Sequence, residues 1–402
     1  MKILFVTSEF GSNGGGLSLS SERVFNYLSE RYSVQIVNPK NPQVLVADGG
    51  YNQELASAIR HENNLKIDAY QYQDKDIDYV IAFSGGFNGY YASILAQRIN
   101  SSFILCLRGT DVNLAKWSPT ETFYLRESAI HSYKVVCLSR EMIENLRLID
   151  NSFCAKCVLI PNPIVSGEGV AFTAKRNPAI VIGTASTHLN EKKGVANLLS
   201  MVKLAKEGGI EINLELVGEV DADLYESYIK IINNFEISDH ITFHGRVSRS
   251  ELSLLMKNWD LYVQTSVCEG HPNSVIESLE NGVGFISTRT GYIFEKLHCD
   301  FPEFFFDDNT PASMLKGILA LINDKKLAPR SEQLRDNLLK SSDSNAIKDL
   351  WYKLLESPSK EVRCAFDGDN ILSVGLHDVQ GEVHDSITTP IDVFWQFVDF
   401  IY

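Results

Sequence analysis

Short apolar runs alternate with longer amphipathic stretches along most of this chain. In the first half the runs predicted as strands are Ile3–Thr7, Val34–Val37, Tyr79–Phe83, Phe103–Leu107, Val135–Leu138 and Val158–Ile160. Helical patterns fall between them, among them Leu17–Arg31, Tyr90–Ile99 and Glu141–Leu148. Pro161-Asn162-Pro163 and the Gly/Ser-rich Ser166–Gly169 then interrupt the rhythm and read as a linker. A second series comes next, with predicted strands Ile180–Ala185, Ile212–Val217, Ile241–His244, Leu261–Gln264 and Val283–Ser287 and helices Val195–Lys206, Leu224–Asn234 and Glu251–Lys257. Alternation of this kind implies parallel strands joined by crossover helices. The expected fold is α/β, with two doubly wound domains facing a cleft and the ligand site at the carboxyl ends of the strands. Past Pro358 the pattern turns strand-like, at Ile371–Val374 and Glu382–Ile387, and it ends in the aromatic Val393–Phe397.

Composition narrows the function classes. The 402 residues are enough for two cores. Lys and Arg number 37 against 51 Asp and Glu, a net charge of −14, which argues against a nucleic-acid partner. Residues 357–402 hold two basic and eight acidic side chains, so the tail alone supplies −6. The N-terminal apolar run is too short for a secretory leader, and nothing approaches the roughly 18 apolar residues of a bilayer span. Seven cysteines without a framework suit a reducing compartment, so a cytoplasmic location is expected, and the lone Cys154/Cys157 pair has no second pair to make a metal site.

The most informative stretch is Cys268–Gly282, CEGHPNSVIESLENG, with Glu269 and Glu277 eight positions apart. Gly270 and Pro272 keep the first half out of a helix, whereas Ser274–Leu279 reads as one, with Asn273 as its N-cap. Glu269 is therefore expected on a loop and Glu277 one turn into the helix. Free N–H groups at the helix start make a seat for an anion between them. A diphosphate on that seat, with sugar hydroxyls donating to the two carboxylates, describes a sugar nucleotide. A plain N-capped surface helix with two solvated acids is the competing reading.

Glu269 and Glu277 match the E-x7-E motif of glycosyltransferase family four, retaining enzymes of the GT-B fold. The segment Trp259–Ser266 resembles that family's strand and loop before the motif, and Gly282–Glu295 with Thr290-Gly291 resembles the strand and glycine loop after it. The resemblance covers about residues 1–340. It implies two Rossmann-like domains, an acceptor-side one over 1–164 and a nucleotide-sugar one over 165–340. It also implies a helix over 341–358 crossing back, and it leaves 359–402 as an accessory tail. Glu269 would hold the transferred sugar and Glu277 the ribose, with His271, Asn273 and Ser274 counted in the donor site.

Four further sites extend the resemblance. Gly14-Gly15-Gly16 fails the dinucleotide and P-loop patterns but resembles the family's glycine loop, placing Gly15 and Gly16 at the donor phosphates and the acceptor. Lys192-Lys193-Gly194 resembles the motif whose lysine neutralises the leaving diphosphate, and Lys193 adjoins the glycine. The family's Arg about five residues upstream is missing, leaving His188 or Arg108 as its replacement. Arg108-Gly109 stands where the family has His-Gly, and an ion pair between Arg108 and Asp111 is the alternative there. Arg246 belongs to a loop expected beside the nucleobase. Lys193, Arg108 and Glu269 are the expected catalytic residues.

Asp221-x-Asp223 reads as helix capping rather than a metal site, and neither metal nor cofactor is expected. The expected activity moves a hexose-type sugar, with retention, from a nucleoside-diphosphate sugar to a glycan or lipid-linked glycan, with possible peripheral membrane contact. A sugar-nucleotide epimerase of the same fold and a binding protein without turnover are the alternatives.

Overall fold

The computed structural model describes residues 1–11, 15–39, 64–164, 170–172 and 179–357, together with three strands in the tail. Six parallel strands form the first sheet, β1 (Lys2–Val6), β2 (Ser33–Val37), β3 (Tyr79–Phe83), β4 (Ser102–Cys106), β5 (Lys134–Cys137) and β6 (Cys157–Leu159), in the order β2-β1-β3-β4-β5-β6. The central strand β3 is buried throughout, as a parallel strand covered on both faces must be, while edge strand β2 exposes most of its residues. The second sheet is also parallel. It is built from β7 (Ile180–His188), β8 (Ile212–Glu219), β9 (Ile241–Gly245), β10 (Leu261–Gln264) and β11 (Phe285–Ser287), in the order β11-β10-β7-β8-β9.

Both orders contain a switch point, where successive crossovers run in opposite directions along the sheet: between β1 and β3 in the first and between β7 and β10 in the second. Loops diverge at such points and leave a crevice. The glycine loop after β1 and the loops after β7 and β10 therefore open into one space. Doubly wound α/β architecture with two sheets is the fold the alternation predicts.

Helices cover both faces: α1 (Gly16–Ser29), α2 (Gly86–Arg98), α3 (Thr110–Ala115), α4 (Pro119–His131) and α5 (Arg140–Ile149) on the first sheet. On the second are α6 (Val195–Glu207), α7 (Ala222–Asn234), α8 (Arg249–Met256), α9 (Asn273–Glu280), α10 (Gly291–Leu297), α11 (Pro311–Ile322) and α12 (Leu327–Ser341). Helices α3, α4 and α10–α12 are not among those predicted from the apolar pattern. Helix α4 buries only Leu125, Ser128 and Ala129, too narrow a stripe to stand out. Several starts carry a side-chain cap, as at Ser118, Ser139, Thr310 and the capping box of Ser248 with Glu251. The starts of α1, α2 and α9, beside Gly15, Gly85 and Pro272, carry none.

Two local expectations need correction. Pro161-Asn162-Pro163 is no loose linker: residues 160–164 are buried, and Ile164 bridges Asp343. Ser166–Gly169 lies outside the described residues. Asp221 occupies the N-cap position of α7, but its side chain makes no capping bond, so its preference is a dipole effect alone.

The last helix, α13 (Ser344–Glu356), lies against the first sheet. Its Ile347, Trp351, Leu354 and Leu355 join Ile3, Phe5 and Ile81 in one core, and Lys348 pairs with Glu30 at 2.7 Å. In the tail, β12 (Val362–Asp367), β13 (Ile371–His377) and β14 (Val383–Pro390) form an antiparallel sheet in sequence order. The aromatic end Val393–Phe397 lies outside the described residues.

Candidate functional site

A cleft of about 1230 Å³ opens between the two sheets. From the first half it is lined by Gly15, Gly16, residues 84–88 and the Arg108 loop. From the second it is lined by residues 185–188, Lys192, Lys193, residues 246–250 and the stretch from Glu269 to Glu277. Every residue singled out from the sequence as a site residue borders this space, although they come from loops far apart in the chain.

Lys193 and Glu269 meet directly, Nζ to Oε1 at 2.7 Å, with side-chain exposures of 23% and 10%. Two loops are zipped together to achieve this. Lys193 ends a 3₁₀ turn at Gly194, whose φ of +68° disfavours a side chain and where an added Cβ would collide with the Thr265 carbonyl oxygen. Thr265 Oγ1 donates to the Lys193 carbonyl at 2.8 Å, and the Val267 N–H donates to the Lys192 carbonyl at 2.9 Å. Burial alone would lift the Glu269 carboxyl. Lys193, Lys192 and hydrogen bonds from Lys193 and Ser266 outweigh it and hold the group below the usual carboxylate range. The expected phosphate ligand and the expected sugar ligand therefore neutralise one another here.

Helix α9 begins beside this pair. Asn273 does not cap it; the position is taken by Pro272, and no side chain caps the start. The Asn273 amide reaches across the cleft instead, donating to the Gly16 carbonyl at 3.1 Å and to Ser20 Oγ at 3.4 Å. Ser274 Oγ accepts from the Tyr262 hydroxyl at 2.8 Å. One turn on, Glu277 is half-buried, and burial raises its carboxyl against the pull of Arg249 and Arg23. Neither arginine stands out in the sequence. Arg249 opens α8, after β9, and lines the cleft, and Arg23 belongs to α1, where it donates to the Pro163 carbonyl at 3.1 Å.

On the opposite wall, Asp111 does not pair with the Arg108 guanidinium. Its carboxylate accepts backbone N–H bonds from Gly85 at 2.7 Å, Arg108 at 3.0 Å and Gly109 at 2.9 Å, and so shapes the loop. The Arg108 guanidinium lies 4.1 Å over the Phe83 ring and donates through Nη1 to Asn162 Oδ1 at 2.8 Å. Burial lowers its pKa, yet from a starting value so high that it stays charged.

His271 borders the cleft but also has partners within the protein. It is 5% exposed, packs 4.7 Å from the Tyr292 ring and accepts the Asn162 N–H at Nδ1, 3.0 Å away. Its Nε2 is buried without a hydrogen-bond partner among the described residues, and burial, with Arg108 and Arg23 nearby, lowers its pKa to about 3. The ring is neutral and committed to Asn162.

His188 and Arg246 stand at the rim and share one carboxylate, Glu219, at 3.6 and 3.5 Å. Both are more than half exposed, so these pairs are worth under about 1 kcal/mol and leave the side chains adaptable. Of the glycine loop, Gly14 is outside the described residues. A Cβ on Gly15 would lie 2.3 Å from Thr187 Oγ1, and one on Gly16 would lie 3.0 Å from the Asn273 amide. Bare backbone at these positions lets the two halves approach. Behind the cleft, Glu295 accepts from the first N–H groups of α5, at Arg140 (2.9 Å) and Glu141 (2.6 Å). Glu141 in turn accepts from Gly291, the first residue of α10, at 2.6 Å. Each helix start thus takes a carboxylate from the other half.

Among the described residues, no group of three or more His, Cys, Asp or Glu side chains is placed to hold a metal ion, and no helix is long and apolar enough to cross a membrane.

Comparison with known proteins agrees with this geometry. Residues 174–364, in the second half of the chain, match the family described as glycosyl transferases group 1. An uncharacterized glycosyltransferase of Methanocaldococcus jannaschii is 25% identical over 268 residues, which are 66% of this chain and 71% of that one. Among solved structures, Anabaena HepE in complex with UDP and glucose superposes with a TM-score of 0.68 at 16% identity, covering 89% of this chain and all of HepE. A TarM variant of S. aureus, in complex with fondaparinux, α-GlcNAc-glycerol and UDP, has a TM-score of 0.65 at 14% identity over 89% of this chain and all of that one. The two-sheet architecture is the GT-B fold that these solved structures share.

Proposed function

We propose that this chain is a retaining glycosyltransferase that moves a hexose-type sugar from a nucleoside-diphosphate sugar to a hydroxyl of a glycan or lipid-linked glycan. The observation that carries the reading is the half-buried Lys193–Glu269 pair beside the uncapped start of α9, inside a cleft bordered by both sheets. Structural neighbours with UDP in this fold support a uridine nucleotide as the first donor to try.

The bond from the anomeric carbon to the phosphate oxygen breaks with its electron pair on the diphosphate. The acceptor oxygen then bonds the same face of the sugar and gives up its proton to an oxygen of the departing diphosphate. Most of the barrier is the charge gathering on the leaving group, and donors fixed in advance lower it most effectively. Lys193, Arg108 and the free N–H groups at the start of α9 are those donors. When the donor binds, before the bond breaks, Lys193 turns from Glu269 towards the diphosphate, and the released Glu269 carboxylate accepts hydrogen bonds from hydroxyls of the transferred sugar. Glu277 takes the ribose hydroxyls, with Arg249 and Arg23 helping to keep it ionised. Lys192, Ser274, His188 and Arg246 border the nucleotide, and the Gly15–Gly16 backbone borders the phosphates. Held ready, each cation contributes roughly 1.5–3 kcal/mol against phosphate, about 10- to 150-fold in rate.

Purified protein incubated with a panel of nucleotide sugars, with and without glycan acceptors, tests the reading. Nucleoside diphosphate released only with acceptor, in the presence of EDTA, into a product that keeps the donor's anomeric configuration by NMR is the expected outcome. An isomerised sugar would identify an epimerase, and binding without turnover a degenerate protein. Activity abolished by EDTA and restored by manganese would overturn the metal-free route.

A further inference from the structure

We infer that Asn162 and His271 are positioning residues that act through Arg108: His271 fixes Asn162, Asn162 fixes the guanidinium, and the cation faces the cleft only while the two halves are together. The inference rests on the glycosyltransferase reading for its kinetic consequence but on geometry for its existence.

The contacts form a chain through three separate parts of the fold. His271, on the second half, accepts the Asn162 N–H at 3.0 Å. Asn162, in the buried segment passing between the halves and 3% exposed, accepts from Arg108 Nη1 at 2.8 Å. Arg108, at the end of β4 in the first half, is held from its other side by the Phe83 ring. Every link is directional. Pro163 confines Asn162 to extended backbone, and Pro161 fixes its own φ, so the direction of the Asn162 N–H is set by the chain. That N–H requires an unprotonated Nδ1 and so places the His271 proton on Nε2. With burial and the nearby arginines keeping the ring neutral, the acceptor persists throughout any working pH range.

Arg108 needs such support. Asp111, the carboxylate of the alternative ion pair, is used up by backbone N–H groups, and Arg108 Nε is itself buried without a partner among the described residues. With one nitrogen on Asn162 and one face on Phe83, the rest of the fork is left to the cleft. Opening the halves would separate His271 from Asn162 and loosen the aim of Arg108, so cation placement and domain closure become one event.

The test uses the ¹⁵N-labelled full chain, UDP as probe, and the variants Asn162→Leu, Asn162→Asp and His271→Phe, each also combined with Arg108→Ala. In wild type, His271 should show the Nε2–H tautomer, and the Arg108 Nε–H resonance should be single and move on adding UDP. Asn162→Leu and His271→Phe should broaden that resonance and lose its UDP shift. Both should lower turnover about 10-fold or more with donor KM nearly unchanged. Asn162→Asp, which keeps an acceptor oxygen, should recover most of the loss. In the Arg108→Ala background either variant should cost less than about twofold further, because the residue it positions is already gone. Losses that add in full, or an Arg108 resonance indifferent to both variants, would overturn the inference. If wild type consumes no nucleotide sugar, the glycosyltransferase reading fails and the resonance and tautomer measurements still decide this one. A variant that does not fold leaves the other and the wild-type titration to decide.

Discussion

The two walls of the cleft handle charge in opposite ways. On the second-half wall, cations meet carboxylates: Lys193 with Glu269, and Arg246 with Glu219, which the His188 ring also approaches. On the first-half wall, Arg108 touches an amide and an aromatic ring, while the nearby Asp111 is spent on backbone N–H groups. An anion entering the cleft must therefore displace a carboxylate on one side and finds a cation already aimed on the other. Pairs that re-form around the ligand tie stability to function, whereas a stacked and hydrogen-bonded cation separates the two.

Lys193→Ala breaks the comparison hardest. Turnover should fall by about 150-fold or more. Stability should fall by up to about 3 kcal/mol, because Glu269 is left buried without its counter-charge. Adding Glu269→Gln should restore the melting temperature without restoring turnover, as thermal denaturation and donor assays would show. The same pair sets a pH signature. Glu269's folded pKa is depressed, so its stabilisation is complete above the ordinary carboxylate value of about 4.3 and disappears as pH falls through the lower folded value. Acid titration of Glu269→Gln should lack that part of the wild-type slope.

Arg108→Ala sharpens the contrast from the other wall. Turnover should fall about 10- to 150-fold, but the melting temperature should change far less than in Lys193→Ala, since no carboxylate is stranded. An equal drop in melting temperature would remove the distinction between the walls. Smaller still, Glu277→Ala should weaken donor binding about 10-fold with turnover within about twofold, because ribose contacts are the same in ground and transition states. Donor affinity unchanged by calorimetry would rule out the ribose role. The smallest effect belongs to the seam between the walls. Gly15→Ala should raise donor KM by roughly threefold, since its Cβ meets the movable Thr187 hydroxyl, and Thr187→Ala should relieve part of it.

Much of this architecture could be read along the chain. Apolar runs in the first half mark β1 to β6 to within a residue or so, because strands buried on both faces are nearly continuous in Val, Ile, Leu and Phe. Helices α3, α4 and α10 to α12 were not read from the pattern: α3 and α10 are short and α4 buries a narrow stripe, whereas α11 buries Met314, Ile318 and Leu321 at regular helical spacing and was there to be read. Within the site, the loop position of Glu269 and the helical position of Glu277 follow from Gly270 and Pro272. The capping role of Asn273 did not hold, since its side chain is drawn to Gly16, far off in sequence, and the bond from His271 to Asn162 at the edge of the cleft was likewise invisible along the chain.

Local physics is therefore what the sequence determined by itself. Apolar periodicity set the strands and helices, glycine and proline set where helices begin, and alternation set the parallel sheets with their ligand edge at the strand ends. Only the tertiary structure decided which charges face one another. Lys193 and Glu269 meet because β7 and β10 are neighbours although β8 and β9 intervene in the chain. Asn162 joins Arg108 to His271 because the segment between the halves is buried rather than loose. Ion pairs and hydrogen bonds act over about 3 Å in space and carry no periodicity along the chain. Strand order and domain contact, not local pattern, selected these partners.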